Sequence, residues 1–149
     1  MTVSAPPRTL APVQRKTLAT MAIGLVLNVL AAAAAVAFDA SGRLSDHLHD
    51  VYDGYAEVPA SGVIVGYLVG LGVLGVVCWS WMMWAVARGK RWAPLVSIVL
   101  FVLATGIALT NLFVQEYGSP IVPSALGAAG LLPCVAGLVA VVLARRLPR

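Results

Sequence analysis

Apolar residues in this chain run together rather than alternate. Four stretches without a charged side chain, residues 17–38, 63–87, 92–114 and 121–144, are separated by short clusters of charge. Each is longer than the ~20 residues a helix needs to cross about 30 Å of hydrocarbon. The pattern predicts an all-α fold, a polytopic membrane four-helix bundle with its transmembrane domain over residues 17–144. Residues 1–16, with Pro6, Pro7 and Pro12, read as a flexible tail, and residues 145–149 as a basic one. Arg88-Gly89-Lys90-Arg91 leaves room only for an antiparallel hairpin. The 115–120 turn is equally tight, with Pro120 and Pro123 at the entry to the fourth span.

Only the 39–62 loop is long enough for structure of its own. Leu44, Leu48, Val51, Tyr52 and Tyr55 share one helical face, and Asp46, Asp50, Asp53 and Glu57 share the other. Ser45 suits an N-cap, Asp46 a first turn and Gly54 a left-handed stop. A short amphipathic helix over about 46–53 is expected, lying on the interface or capping the bundle with its acids toward water.

Composition agrees with lipid as the solvent. The chain is 60% hydrophobic and 11% charged, with mean hydropathy +0.93, against roughly 45–50% and 25% in soluble domains. A soluble domain, a disordered chain and a disulfide-stapled module are all excluded.

Charge gives direction. Nine of the 10 basic residues lie in the N-terminal tail, the 88–91 turn and the C-terminal tail; all six acids lie in the 39–62 loop and the 115–120 turn. Basic flanks stay in the cytoplasm, so both termini are expected there, in a bacterial inner membrane. The basic residues, split among three clusters, form no nucleic-acid surface; membrane lipids are the expected contact. Trp81, Trp84 and Trp92, with Trp79 deeper, read as anchors at one interface, and Tyr52, Tyr55 and Tyr117 at the other. Arg15-Lys16, the apolar run and Ala35-Val36-Ala37 resemble a signal peptide, but the run is long enough to be a retained span.

Chemistry is sparse. His49 with Asp46, Asp50 and Asp53 offers ligands of the right type for a divalent ion on one helical face, although His47 and His49 face apart. A solvated acidic helix is the simpler account, and no metal or cofactor is expected. Cys78 and Cys134, about 15 Å from the basic clusters, are not paired as a redox enzyme requires. Asn28 and Thr105 fall about 18 and 21 Å deep. Pro133 leaves the carbonyl of Ala129 without its helical donor. Together Asn28, Thr105, Cys78, Cys134 and Pro133 form either interhelical glue or a midplane polar pocket. No span contains Asp, Glu, Lys, Arg or His, which argues against ion-coupled transport, and no nucleophile–base pair or phosphate loop exists. Gly62, Gly66 and Gly70 make a small-residue strip whose partner is either the bundle, through Ala31–Ala35 or Gly127 and Gly130, or another chain.

The hairpin from Trp84 to Ala93, with eight Arg and two Lys in an Ala/Val/Gly-rich chain, resembles the small four-span membrane proteins of high-GC actinobacteria. That resemblance implies fold and location but no activity. The expected function is non-enzymatic: a binding, assembly or accessory subunit whose partner is a membrane protein, a second copy or lipid. A small oligomeric transporter or channel using the midplane pocket is the alternative.

Overall fold

A computed structural model describes residues 12–55 and 57–146. The expected tail up to residue 11, and Arg149, fall outside the described residues. Four long helices are each apolar enough to cross a membrane: α1 (Pro12–Ala40), α3 (Ser61–Ala87), α4 (Ala93–Phe113) and α5 (Ser124–Ala144). The short α2 (Arg43–Tyr52) lies between the first two. The chain is all-α apart from one small hairpin, and it is a multi-pass membrane protein. Its outer faces carry apolar side chains, among them Leu95 at 68% and Phe113 at 69% exposure, as a lipid-solvated bundle requires.

Helix α1 begins five residues before the expected span. Pro12 does not prevent this, because a proline in the first turn lacks only an N–H that has no helical partner anyway. The chain then turns sharply at Ser41-Gly42, where Gly42 adopts φ 78°, a left-handed conformation open to glycine. That turn starts α2 at Arg43, three residues early, so Ser45 is inside the helix and does not cap it. The C-terminal expectation holds: Gly54 follows the helix at φ 75°.

Of the two placements open for α2, the structure adopts the cap. Leu44 and Leu48 are fully buried, and with Val51 and Tyr52 they pack against Phe38 of α1, Ile64 and Val65 of α3, and Val58. Asp46, Asp50, Asp53 and Glu57 are exposed. Tyr55 departs from the expected face; it is exposed and stacks on Tyr117 at 4.7 Å.

Among the long helices, α1 is the common neighbour, packed along both α3 and α5, while α5 also packs along α4. Helices α3 and α4 are joined by a tight turn with Gly89 at φ 63°, yet touch only slightly. The α4–α5 connection is more ordered than a plain turn. Strand β1 (Gln115–Glu116) pairs antiparallel with β2 (Ser119–Pro120) across Tyr117-Gly118, both at positive φ, the twist a two-residue hairpin needs. One core, of Met21, Met82, Ala85, Val86, Ala93 and Ala140, closes the basic end of the bundle. The α2 core closes the acidic end.

Candidate intramembrane binding site

The contact between α1 and α3 is built on glycine. Gly24 of α1 receives the indole of Trp79, and a Cβ there would lie 2.5 Å from that ring. Gly72 of α3 receives Ala32, and Gly75 receives the Asn28 amide, which a Cβ would displace. Asn28 Nδ2 donates to the Gly72 carbonyl at 2.8 Å, so the polar group is satisfied across the interface. Trp79 is thus a wedge inside the bundle rather than an interfacial anchor. Gly137 of α5 seats Phe101 and Gly127 seats Leu112, which extends the scheme to α4 and α5.

The expected strip does none of this. Gly62, Gly66 and Gly70 are exposed, and a Cβ on any of them would meet nothing within 4 Å. The strip points away from the bundle because the α1 contact is on the opposite face of α3.

Between the two end cores the side chains leave a cavity of about 390 Å³ bordered by all four long helices. Small residues create it: Ala32 and Ala35 on α1, Gly72 and Gly75 on α3, Ala104 and Ala108 on α4, Gly130 on α5. Four of the five expected midplane residues, Asn28, Cys78, Pro133 and Cys134, line this one space. Thr105 does not; its hydroxyl is buried without a hydrogen-bond partner among the described residues. Sequence reasoning missed Ser97 and Asn111, the other polar residues on the wall. Ser97 Oγ donates to the Ala93 carbonyl at 2.8 Å, which leaves it little to offer a ligand. Among the described residues no Asp, Glu, Lys, Arg or His borders the cavity.

The mouth lies between α3 and α4. Leu74, Leu103 and Ile107 border the cavity and are also exposed on the outer surface of the bundle. Toward the acidic end the Tyr67 hydroxyl donates to Asn111 Oδ1 at 2.9 Å, a bridge between α3 and α4. Beyond that bridge a shallow, open depression on the outer surface is bordered by Val63, Ile64, Thr110, Val114 and again Tyr67 and Asn111. Asn111 therefore borders both spaces.

At the acidic end α2 is tied to the hairpin. The Tyr52 hydroxyl donates to Glu116 Oε2, His47 Nε2 lies 2.9 Å from the Pro120 carbonyl, and the Tyr117 ring meets Tyr52 edge-on. The bond to the Glu116 carboxylate, with burial second, pushes the Tyr52 hydroxyl above its ordinary pKa of 10.0. His49 bonds its own helix at Ser45, and no three His, Cys, Asp or Glu residues converge on a metal position among the described residues. At the basic end Arg88 and Lys90 approach the Trp84 ring at 5.4 and 5.8 Å, and Trp81 packs on Trp92. Gln14 Nε2 donates to the Val86 carbonyl at 2.7 Å, which also accepts the Gly89 N–H, so the side chain ties the start of α1 to the end of α3.

Comparison with protein-family models, curated proteins and solved structures finds no match to this chain. Function rests on the geometry, and the geometry is that of an apolar, laterally open receptacle.

Proposed function

We propose that this is a non-enzymatic membrane protein that binds an apolar ligand, drawn from the bilayer, in its central cavity. The observation that carries this reading is the 390 Å³ cavity with its mouth on the lipid-facing side. A space of this size, walled by apolar side chains and open toward the hydrocarbon, has room for a small hydrophobic molecule. Apolar cavities of this kind take small hydrophobic molecules. Among the described residues no Asp, Glu, Lys, Arg or His borders the wall, which favours a binding role over ion-coupled transport.

Bromobenzene, whose heavy atom quenches indole fluorescence, tests the reading in detergent-purified protein with Trp81, Trp84 and Trp92 replaced by Phe. Trp79, on the cavity wall, is then the sole tryptophan. Saturable quenching that Gly130→Phe abolishes is expected, because a Cβ at Gly130 points into open space. Quenching that stays linear in bromobenzene and is unchanged by the variant would remove the cavity as a site.

A second reading, assembly with another membrane helix or a second copy, is favoured by the outward glycine strip at Gly62, Gly66 and Gly70. Gly66→Leu should then abolish partner association without unfolding the bundle. The segregation of basic and acidic residues to opposite ends supports residence in a bacterial inner membrane with both termini cytoplasmic. An impermeant maleimide should label Asp50→Cys in intact spheroplasts and Lys90→Cys only after lysis.

A further inference from the structure

The central cavity cannot be entered along the bundle axis. The Met21/Met82/Val86 core closes one end, and α2 packed on Phe38, Ile64 and Val65 closes the other. The route left is sideways, past Leu74, Leu103 and Ile107, from the hydrocarbon itself. Any occupant is therefore a molecule already dissolved in the membrane.

Its shape is given by the α3–α4 seam. Along α4 the wall runs from Ser97 to Asn111, about 21 Å at 1.5 Å per residue. Beyond Asn111 a shallow, open depression continues the seam on the outer surface past Thr110 and Val114 toward the acidic end. An elongated apolar cavity with polar Asn111 at one end matches one hydrocarbon chain better than a compact ring system. That polar end also sits at a defined depth. Asn111 is two residues from the end of α4, about 3 Å, and the 21 residues of α4 span about one hydrocarbon thickness. Glycerolipid ester carbonyls lie at that same boundary. Asn111 Oδ1 already accepts from Tyr67, which leaves the amide N–H groups for an acceptor.

We infer that the occupant is a diacyl glycerolipid of the leaflet at the acidic end. One acyl chain enters between α3 and α4 and fills the central cavity, and its ester carbonyl accepts a hydrogen bond from the Asn111 amide. This rests on the cavity being a ligand site, and it adds the class of ligand, the leaflet and the polar contact.

The test uses the full chain with Trp79 as sole tryptophan, in nanodiscs doped with phosphatidylcholine brominated at mid-chain. Quenching of Trp79 should saturate at low mole fraction and fall to the level of bulk lipid contact in Gly130→Phe. With the unfilled cavity, the ether-linked analogue carrying the same bromines, which lacks the carbonyl, should bind about fivefold more weakly, the worth of one hydrogen bond. That comparison uses one protein and two lipids, so it does not depend on how any variant folds. Quenching linear in mole fraction, or equal affinity for ester and ether lipids, would overturn the inference. Saturable quenching by bromobenzene without saturable quenching by the brominated lipid would overturn the lipid assignment and leave the cavity reading standing. If neither probe saturates, both fall.

Discussion

Helix α3 takes part in two seams that obey opposite rules. Against α1 it is closed by glycine, with Trp79 over Gly24, Ala32 over Gly72 and Asn28 in the notch at Gly75. Against α4, its neighbour in sequence, it is held at the basic end by the turn at Gly89 and the core that Met82, Ala85 and Val86 share with Ala93, and farther along by the hydrogen bond from Tyr67 to Asn111. In a membrane, helices gain nothing from hiding apolar surface, because the lipid is apolar too; van der Waals contact decides which pairs close. Where glycine and alanine face each other the backbones meet. On the α4 side, bulkier Leu74, Leu103 and Ile107 stand at the edge of a space that small residues behind them leave open. Short connection in sequence does not produce tight packing here; matched small residues do.

The largest predicted effect follows from adding bulk to the tight seam. Gly24→Leu drives a side chain into the Trp79 ring, which has α5 behind it at Gly137. A loss of about 3 kcal/mol is expected, at the upper end for overpacking. Gly66→Leu, the same chemical change on the outward face of α3, should stay within about 0.5 kcal/mol in the monomer. Reversible unfolding in mixed detergent micelles measures both. Equal losses would mean that the two glycine sets do not lie on opposite faces.

That contrast also explains how much of the molecule was legible in the sequence. The four spans were, because charge clusters flank each apolar stretch and no charge falls within one. Helix α2 was legible almost residue by residue, since its apolar and acidic sides differ; only the Ser45 cap, displaced by the left-handed Gly42, and Tyr55, which lies past the helix end and the left-handed Gly54, went elsewhere. The faces of the long helices were not. When nearly every side chain is apolar, hydrophobic periodicity carries no direction. Gly62, Gly66 and Gly70 have ideal packing spacing, yet the bundle uses Gly72 and Gly75, three residues apart. A polar residue within reach of a glycine, as Asn28 is of Gly72, was the available signal. Depth alone grouped Asn28, Cys78, Pro133 and Cys134, which line one space, with Thr105, which does not, because depth does not specify a position around α4.

Asn28 allows a sharper measure of the tight seam. Asn28→Leu keeps the approximate size of the side chain but removes the bond to the Gly72 carbonyl. About 0.6 kcal/mol should be lost, the average for an interhelical hydrogen bond in lipid. A loss several times larger would show that the amide organises the Gly72–Gly75 notch rather than merely occupying it. Tyr67→Phe removes the corresponding bond of the loose seam. Because Tyr67 is exposed, the cost should be smaller still, with the main consequence an easier opening. Trp79 should then be quenched faster by brominated lipid, at an unchanged extent of unfolding.

The smallest effect is a pH dependence at the acidic end, where Tyr52 of α2 reaches across to Glu116 after α4 and so ties the loose seam at its rim. Folding raises the pKa of Tyr52 above 10.0, first through its bond to the Glu116 carboxylate. A raised folded-state pKa means that the unfolded chain releases this proton first as pH rises. The stabilisation is therefore complete below about pH 10 and declines as pH climbs toward the folded value. Thermal unfolding of the unaltered protein and of Tyr52→Phe, compared from neutral pH upward, isolates the term from the other tyrosines and from the lysines. The gap in Tm between the two proteins should be constant to about pH 10 and narrow above it. A gap that keeps one size across the whole range would show that the Tyr52 hydroxyl contributes nothing through Glu116 and that α2 is held by Leu44 and Leu48 alone.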